Sequence, residues 1–142
     1  MLDPNPHKVL GTILLVSRDA IASRQVTDAM QQLALSVEVC VDISAVADRL
    51  SRNKFEAVVI DLALDQGLVC LERVRSSATN RTAVIFTLTS SNQETAHALN
   101  QGSSFVLQRP LTAESIGHTL KVAYGFIVRE RRRYSVIPSP SL

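Results

Sequence analysis

The sequence predicts an α/β protein: a parallel sheet wound on both faces by helices. Three observations carry this. Five short apolar runs recur along the 142 residues, rich in β-branched side chains and too short for buried helices. Between the runs the apolar residues switch to helical spacing, so strands and helices alternate. The central run, Ala57-Val58-Val59-Ile60, is apolar at every position, as a strand covered on both faces must be. Such a sheet is joined by right-handed crossovers.

Taken in order, residues 12–16 (Thr-Ile-Leu-Leu-Val) form the first strand, stopped by Ser17-Arg18-Asp19. Residues 20 to about 35 follow as a helix with Ile21, Val26, Met30 and Leu33 on one side. Residues 37–41 alternate weakly and make a second strand. Ser44 can cap a helix carrying Val46 and Leu50, which fades near Arg52-Asn53-Lys54. The third strand ends on Asp61, and Asp65-Gln66-Gly67 is a turn. Leu68, Leu71 and Val74 mark the third helix, and residues 83–89 the fourth strand, ending in hydroxyls. A short helix spans residues 94–100, and Gly102 suits the left-handed position beyond its end. Residues 105–107 are a fifth strand, followed by Gln108-Arg109-Pro110. The last helix runs from Ala113 to about Arg131, with Ile116, Leu120, Tyr124 and Ile127 at core spacing.

One domain, residues 10–133, lies between a leader (1–9) and a tail (134–142). That tail, with Pro138 and Pro140, reads as disordered or as a linker to a missing domain. The composition, 46% apolar and 20% charged, is that of a soluble globular chain. No signal peptide or membrane span is visible. Cys40 and Cys70 lie within apolar patterns and read as small buried hydrophobes, consistent with a reducing cytoplasm. A net charge of +2 is too small for binding nucleic acid across the whole surface. The chain lacks a Gly-x-Gly-x-x-Gly after the first strand and a Gly-Lys-Ser/Thr loop, which argues against a nucleotide-binding enzyme. His7, His97 and His118 are too scattered to form a catalytic base site.

Open α/β sheets place reactive groups beyond the carboxyl ends of their strands. Ser17, Arg18, Asp19, Asp61, Thr87 or Thr89, Arg109 and Pro110 converge there. Asp61 reads as a turn or cap residue, or as a reactive carboxylate. In order and spacing these residues resemble a response-regulator receiver domain, CheY-like, over roughly residues 10–130. Asp61, in Val59-Ile60-Asp61-Leu62, stands at the phosphoacceptor position, and Arg109-Pro110 where the family has Lys-Pro. Gly102 precedes Arg109 by the family's interval of seven.

The resemblance implies a flavodoxin-like sheet of order 2-1-3-4-5 and a phosphoryl group taken from a histidine kinase or phosphotransfer protein. It also implies a Mg²⁺ ion held by the acceptor, a first-strand acid and a backbone carbonyl, and a cis Arg109–Pro110 bond. Signalling, with no enzyme activity beyond self-phosphorylation and self-dephosphorylation, would pass through the face of helix 4, strand 5 and helix 5, which would also serve a homodimer. Neither a membrane nor nucleic acid is an expected partner.

The departures fall on the site. Ser17 and Arg18 replace the family's acidic pair, leaving Asp19 and Asp61 as acids for a weakened Mg²⁺ site. Arg18 or Arg109 is expected to supply part of the ion's charge, Arg18 by reaching toward Asp61. Counting back from Arg109 puts the switch hydroxyl at Thr87; matching the apolar run favours Thr89. The family's aromatic switch position holds Val106, with Phe105 one residue earlier. These departures keep a second reading open: a pseudo-receiver acting purely as an interaction or dimerisation module.

Arg129-Glu130-Arg131-Arg132-Arg133 reads as a solvated helix end, its cations complementing the helix dipole. It also resembles the opening of a PilZ domain, whose Arg-x-x-x-Arg, here Arg129 and Arg133, binds cyclic di-GMP. The rest of such a domain is missing from the sequence.

Overall fold

The computed structural model describes residues 11–135. The proposed leader, and the tail beyond Ser135, lie outside the described residues. The strands are β1 (Gly11–Val16), β2 (Leu35–Cys40), β3 (Ala57–Asp61), β4 (Val84–Thr89) and β5 (Phe105–Gln108). The helices are α1 (Ala20–Gln31), α2 (Val46–Arg52), α3 (Gly67–Ser76), α4 (Asn92–Asn100) and α5 (Ala113–Ser135). All strand pairs are parallel and the order is β2-β1-β3-β4-β5, the doubly wound arrangement the sequence predicts.

Side-chain alternation divides the interior in two. Ile13, Leu15, Val59, Phe86 and Leu88 face α1 and α5, meeting Val26, Met30, Ile116 and Ile127. Leu14, Val16, Val58, Ile60 and Ile85 face the other way, onto Val46, Leu50, Cys70 and Leu71. Every residue of β3 is buried, which explains its unbroken apolar run. Burying each large aliphatic side chain contributes roughly 1.5–3 kcal/mol, so these two layers hold the strand ends in place. Cys40 and Cys70 are free and buried as expected, and burial pushes the Cys70 thiol up to about 12.

Several assignments differ from the sequence reading. Strand β2 begins at Leu35 and α4 at Asn92. Ser44 caps no helix but sits in a 3-10 turn (Ile43–Ala45) capped by Asp42, with Ala45 preceding α2. Helix α1 stops at Gln31, because Ala34 takes a left-handed φ of 59° and turns the chain into β2. Ile21, expected on the core side of α1, is 75% exposed; Ala22 takes the buried place instead. Helix α5 continues to Ser135, past the expected end and into the first two residues assigned to the tail. Gly102 has φ +108°, as its position beyond α4 requires.

Candidate functional site at the carboxyl edge of the sheet

Asp61 is the last residue of β3, paired with Leu88 of β4. Its side chain is only 2% exposed, so each carboxylate oxygen needs a partner. Oδ1 accepts from the backbone N–H of Ala63 at 2.9 Å, closing a local turn. Oδ2 accepts from the Ser17 hydroxyl at 2.8 Å and from Arg109 Nη2 at 2.8 Å. The start of α3 presses against the same strand end: a Cβ on Gly67 would lie 3.0 Å from the Asp61 carbonyl oxygen.

Ser17 stands where the resemblance implies an acid, and the chemistry is reversed. Its hydroxyl donates to Asp61 and accepts from the Asp19 N–H at 3.0 Å, so the side chain that the resemblance implies as a metal-binding acid is here a hydrogen-bond donor. Asp19 caps α1 through the N–H of Ala22 at 3.0 Å. That bond, helped by Arg109, holds the Asp19 carboxyl below the usual carboxylate range.

Arg109 follows β5 directly and starts a cis peptide to Pro110, as the resemblance implies. One nitrogen, Nη2, reaches both carboxylates, at 2.8 Å from Asp61 and 3.2 Å from Asp19. The Asp61 hydrogen bond in turn raises the guanidinium's own pKa. Arg109 therefore places a guanidinium between the two carboxylates. Arg18 does not: its Nε donates to the Val41 carbonyl oxygen at 3.0 Å, turning the expected reach toward Asp61 onto the end of β2. Both arginines still line one opening of about 460 Å³, together with Asp19, Asp61, Gln66 and Ser90.

The two candidate hydroxyls are buried, and neither bonds to Asp61. Thr87 meets the Ser103 hydroxyl at 3.1 Å. Thr89 ends β4, as the apolar-run match requires, but its hydroxyl is 2.8 Å from that of Thr95 on α4. Alternation places both threonines on the Ile85 face, whereas Asp61 falls on the opposite parity with Leu88. Ser90, one residue on, lines the opening instead and was missed; its adjacency to Thr89 was the available signal. Phe105 stacks on Phe86 at 5.5 Å and meets Phe126 at 5.9 Å, away from either threonine's bonds. Arg129 and Arg133 belong to the opposite edge, beside Glu130 and Phe126.

The donors do not fit a divalent ion. A guanidinium nitrogen stands between the two carboxylates that would have to hold it, and the β1 position offers a hydroxyl proton. No group of three His, Cys, Asp or Glu suited to a metal occurs among the described residues.

No family model matches the sequence, and no curated protein matches it. Solved structures do. The chain resembles the receiver domain of a sensor histidine kinase from Pseudomonas aeruginosa PAO1, solved with magnesium in its active-site cleft, at 18% identity and TM-score 0.70. That match covers 82% of this chain and 97% of the other. The chemotaxis response regulator CheY4 of Vibrio cholerae matches at 18% identity and TM-score 0.70, covering 78% of this chain and 96% of its own. A CheY-like receiver domain protein from Methanospirillum hungatei matches at 16% identity and TM-score 0.69, over 86% and 96% of the two chains. The chain thus has the fold of CheY-like receiver domains, with an arginine between its two acids. No helix among the described residues is long and apolar enough to cross a membrane.

Proposed function

We propose that the chain is a signalling module of receiver type whose switch site is held by an internal ion pair, so that it works by binding partners without being phosphorylated. The observation that carries this is the Asp61–Arg109 contact at 2.8 Å on a carboxylate only 2% exposed. In a receiver the acceptor oxygen must reach a phosphohistidine, with a metal ion neutralising the oxygens. Here Arg109, Ser17 and the Ala63 N–H occupy the carboxylate, and Mg²⁺ binding is weak or absent. Arg109 joins the end of β5 to the end of β3 and the cap of α1, fixing three elements that a phosphoryl group would otherwise organise. Leu99 on α4 and Val122 and Phe126 on α5 are about half exposed, which supports contact through the α4–β5–α5 face with a histidine kinase, an output domain or a second copy.

A second reading, phosphoryl acceptance on Asp61, is favoured by one observation: Asp61 lines the opening at the strand ends, together with Ser90. Incubation with acetyl phosphate and Mg²⁺, followed by intact mass, separates the two. The proposal expects an unchanged mass. A phosphoryl adduct lost in Asp61→Asn would establish the second reading.

A further inference from the structure

Helices α1 and α5 both run back from the carboxyl edge of the sheet to its amino edge, and they leave a groove of about 550 Å³ between them. Ala29, Leu33 and Leu120 form its apolar floor. At Gly117 nothing lies within 4 Å of where a Cβ would sit, so the α5 wall is open at its middle. A glycine inside a helix costs about 1 kcal/mol against alanine, and no contact within the chain requires this one. One turn ahead of Gln25, on the same stripe of α1, Ile21 is 75% exposed.

The charged groups on the two walls are opposite in sign and uncommitted. Asp28 on α1 and Lys121 on α5 are exposed, and neither side chain has a hydrogen-bond or ion-pair partner among the described residues. A carboxylate on one wall and an ammonium on the other make this face complementary to itself. Because the two helices run in the same direction, a two-fold axis parallel to them sets α1 of one copy over α5 of the other. Each Asp28 then faces the other copy's Lys121, and the open position at Gly117 lets the facing helix come close. Val122 and Phe126 lie on the opposite side of α5 and take no part in this face.

We propose that the chain pairs with a second copy of itself through this α1–α5 groove, Asp28 of each copy meeting Lys121 of the other. The pairing is independent of whether Asp61 is phosphorylated, and it leaves the α4–β5–α5 face open to a different partner. Sedimentation velocity of the full chain over a dilution series should show a reversible dimer. D28K and K121D, both altered at exposed positions, should each weaken it by about tenfold or more, because like charges then face each other twice. Mixing the two variants should restore the dimer, since D28K presents lysines where K121D presents aspartates. A role within one chain could not be rescued between chains in this way. L99E/V122E, on the α4–β5–α5 face, should leave the dimer unchanged, and thermal melts confirm that all variants remain folded. The proposal is overturned if the wild-type chain is monomeric at every concentration, which would leave the groove to another protein or a small ligand. It is equally overturned if D28K or K121D leaves the association unchanged, if mixing them fails to restore it, or if L99E/V122E abolishes it.

Discussion

The two edges of the sheet hold the same chemical trio in opposite proportions. At the carboxyl edge, buried Asp61 meets Arg109 and the Ser17 hydroxyl; at the amino edge, buried Glu130 meets Lys54 and the Thr82 hydroxyl. One guanidinium serves two carboxylates at the first edge, Asp61 and Asp19. At the second, two cations, Lys54 and Arg133, serve one carboxylate. The first edge therefore depends on a single cation, whereas the second keeps one in reserve. A buried charge is tolerated only with compensation, so the number of remaining partners sets the cost of losing one.

Arg109→Met should have the largest effect. It leaves Asp61 with hydrogen bonds but no cation, since Arg18 is turned to Val41. Denaturant unfolding should show a loss of about 3 kcal/mol, the range for breaking a buried pair from one side. Lys54→Met should cost less, about 1–2 kcal/mol in the same measurement, because Arg133 and Thr82 still face Glu130. Equal losses in the two variants would remove the distinction between the edges.

The smallest effect is in pH. The folded Asp19 carboxyl is held below its ordinary value of 3.8, mainly by the Ala22 N–H and then by Arg109. The unfolded chain therefore binds a proton more readily, and stability must fall as pH drops. The contribution is fully present well above pH 3.8 and is lost as pH falls through the lowered folded value. Asp19→Asn should flatten the stability profile below about pH 4 while leaving its slope above pH 5 unchanged. A variant profile parallel to the wild type throughout would remove Asp19 from the account.

The contrast also explains what the sequence made legible. Asp61 stood out as the carboxylate that ends an unbroken apolar run, although a turn or cap residue reads the same way, and Arg109 stood out because Pro110 follows it at a strand end. The roles of Ser17 and Arg18 did not, since adjacent residues at a strand end point opposite ways and only the packed chain shows which one faces Asp61. Glu130 was hidden among arginines and read as part of a solvated helix end. Its position was nevertheless informative: it falls three residues after Ile127, on the stripe of Ile116, Leu120 and Ala123 that α5 buries. An acid on such a stripe requires a partner from elsewhere in the chain, and Lys54, seventy-six residues away, could not be found by spacing. The end of α1 was displaced because Ala34 takes a left-handed φ, which apolar spacing alone does not reveal.

The central claim is that the Arg109 guanidinium takes the place of a divalent ion beside Asp61. Thermal unfolding of the wild-type chain across a Mg²⁺ titration into the tens of millimolar tests it most directly, because a ligand selective for the folded state raises the midpoint by mass action. The account predicts a midpoint that moves no more with Mg²⁺ than with Na⁺ at matched ionic strength. A saturable rise specific to Mg²⁺, abolished in Asp61→Asn, would contradict it.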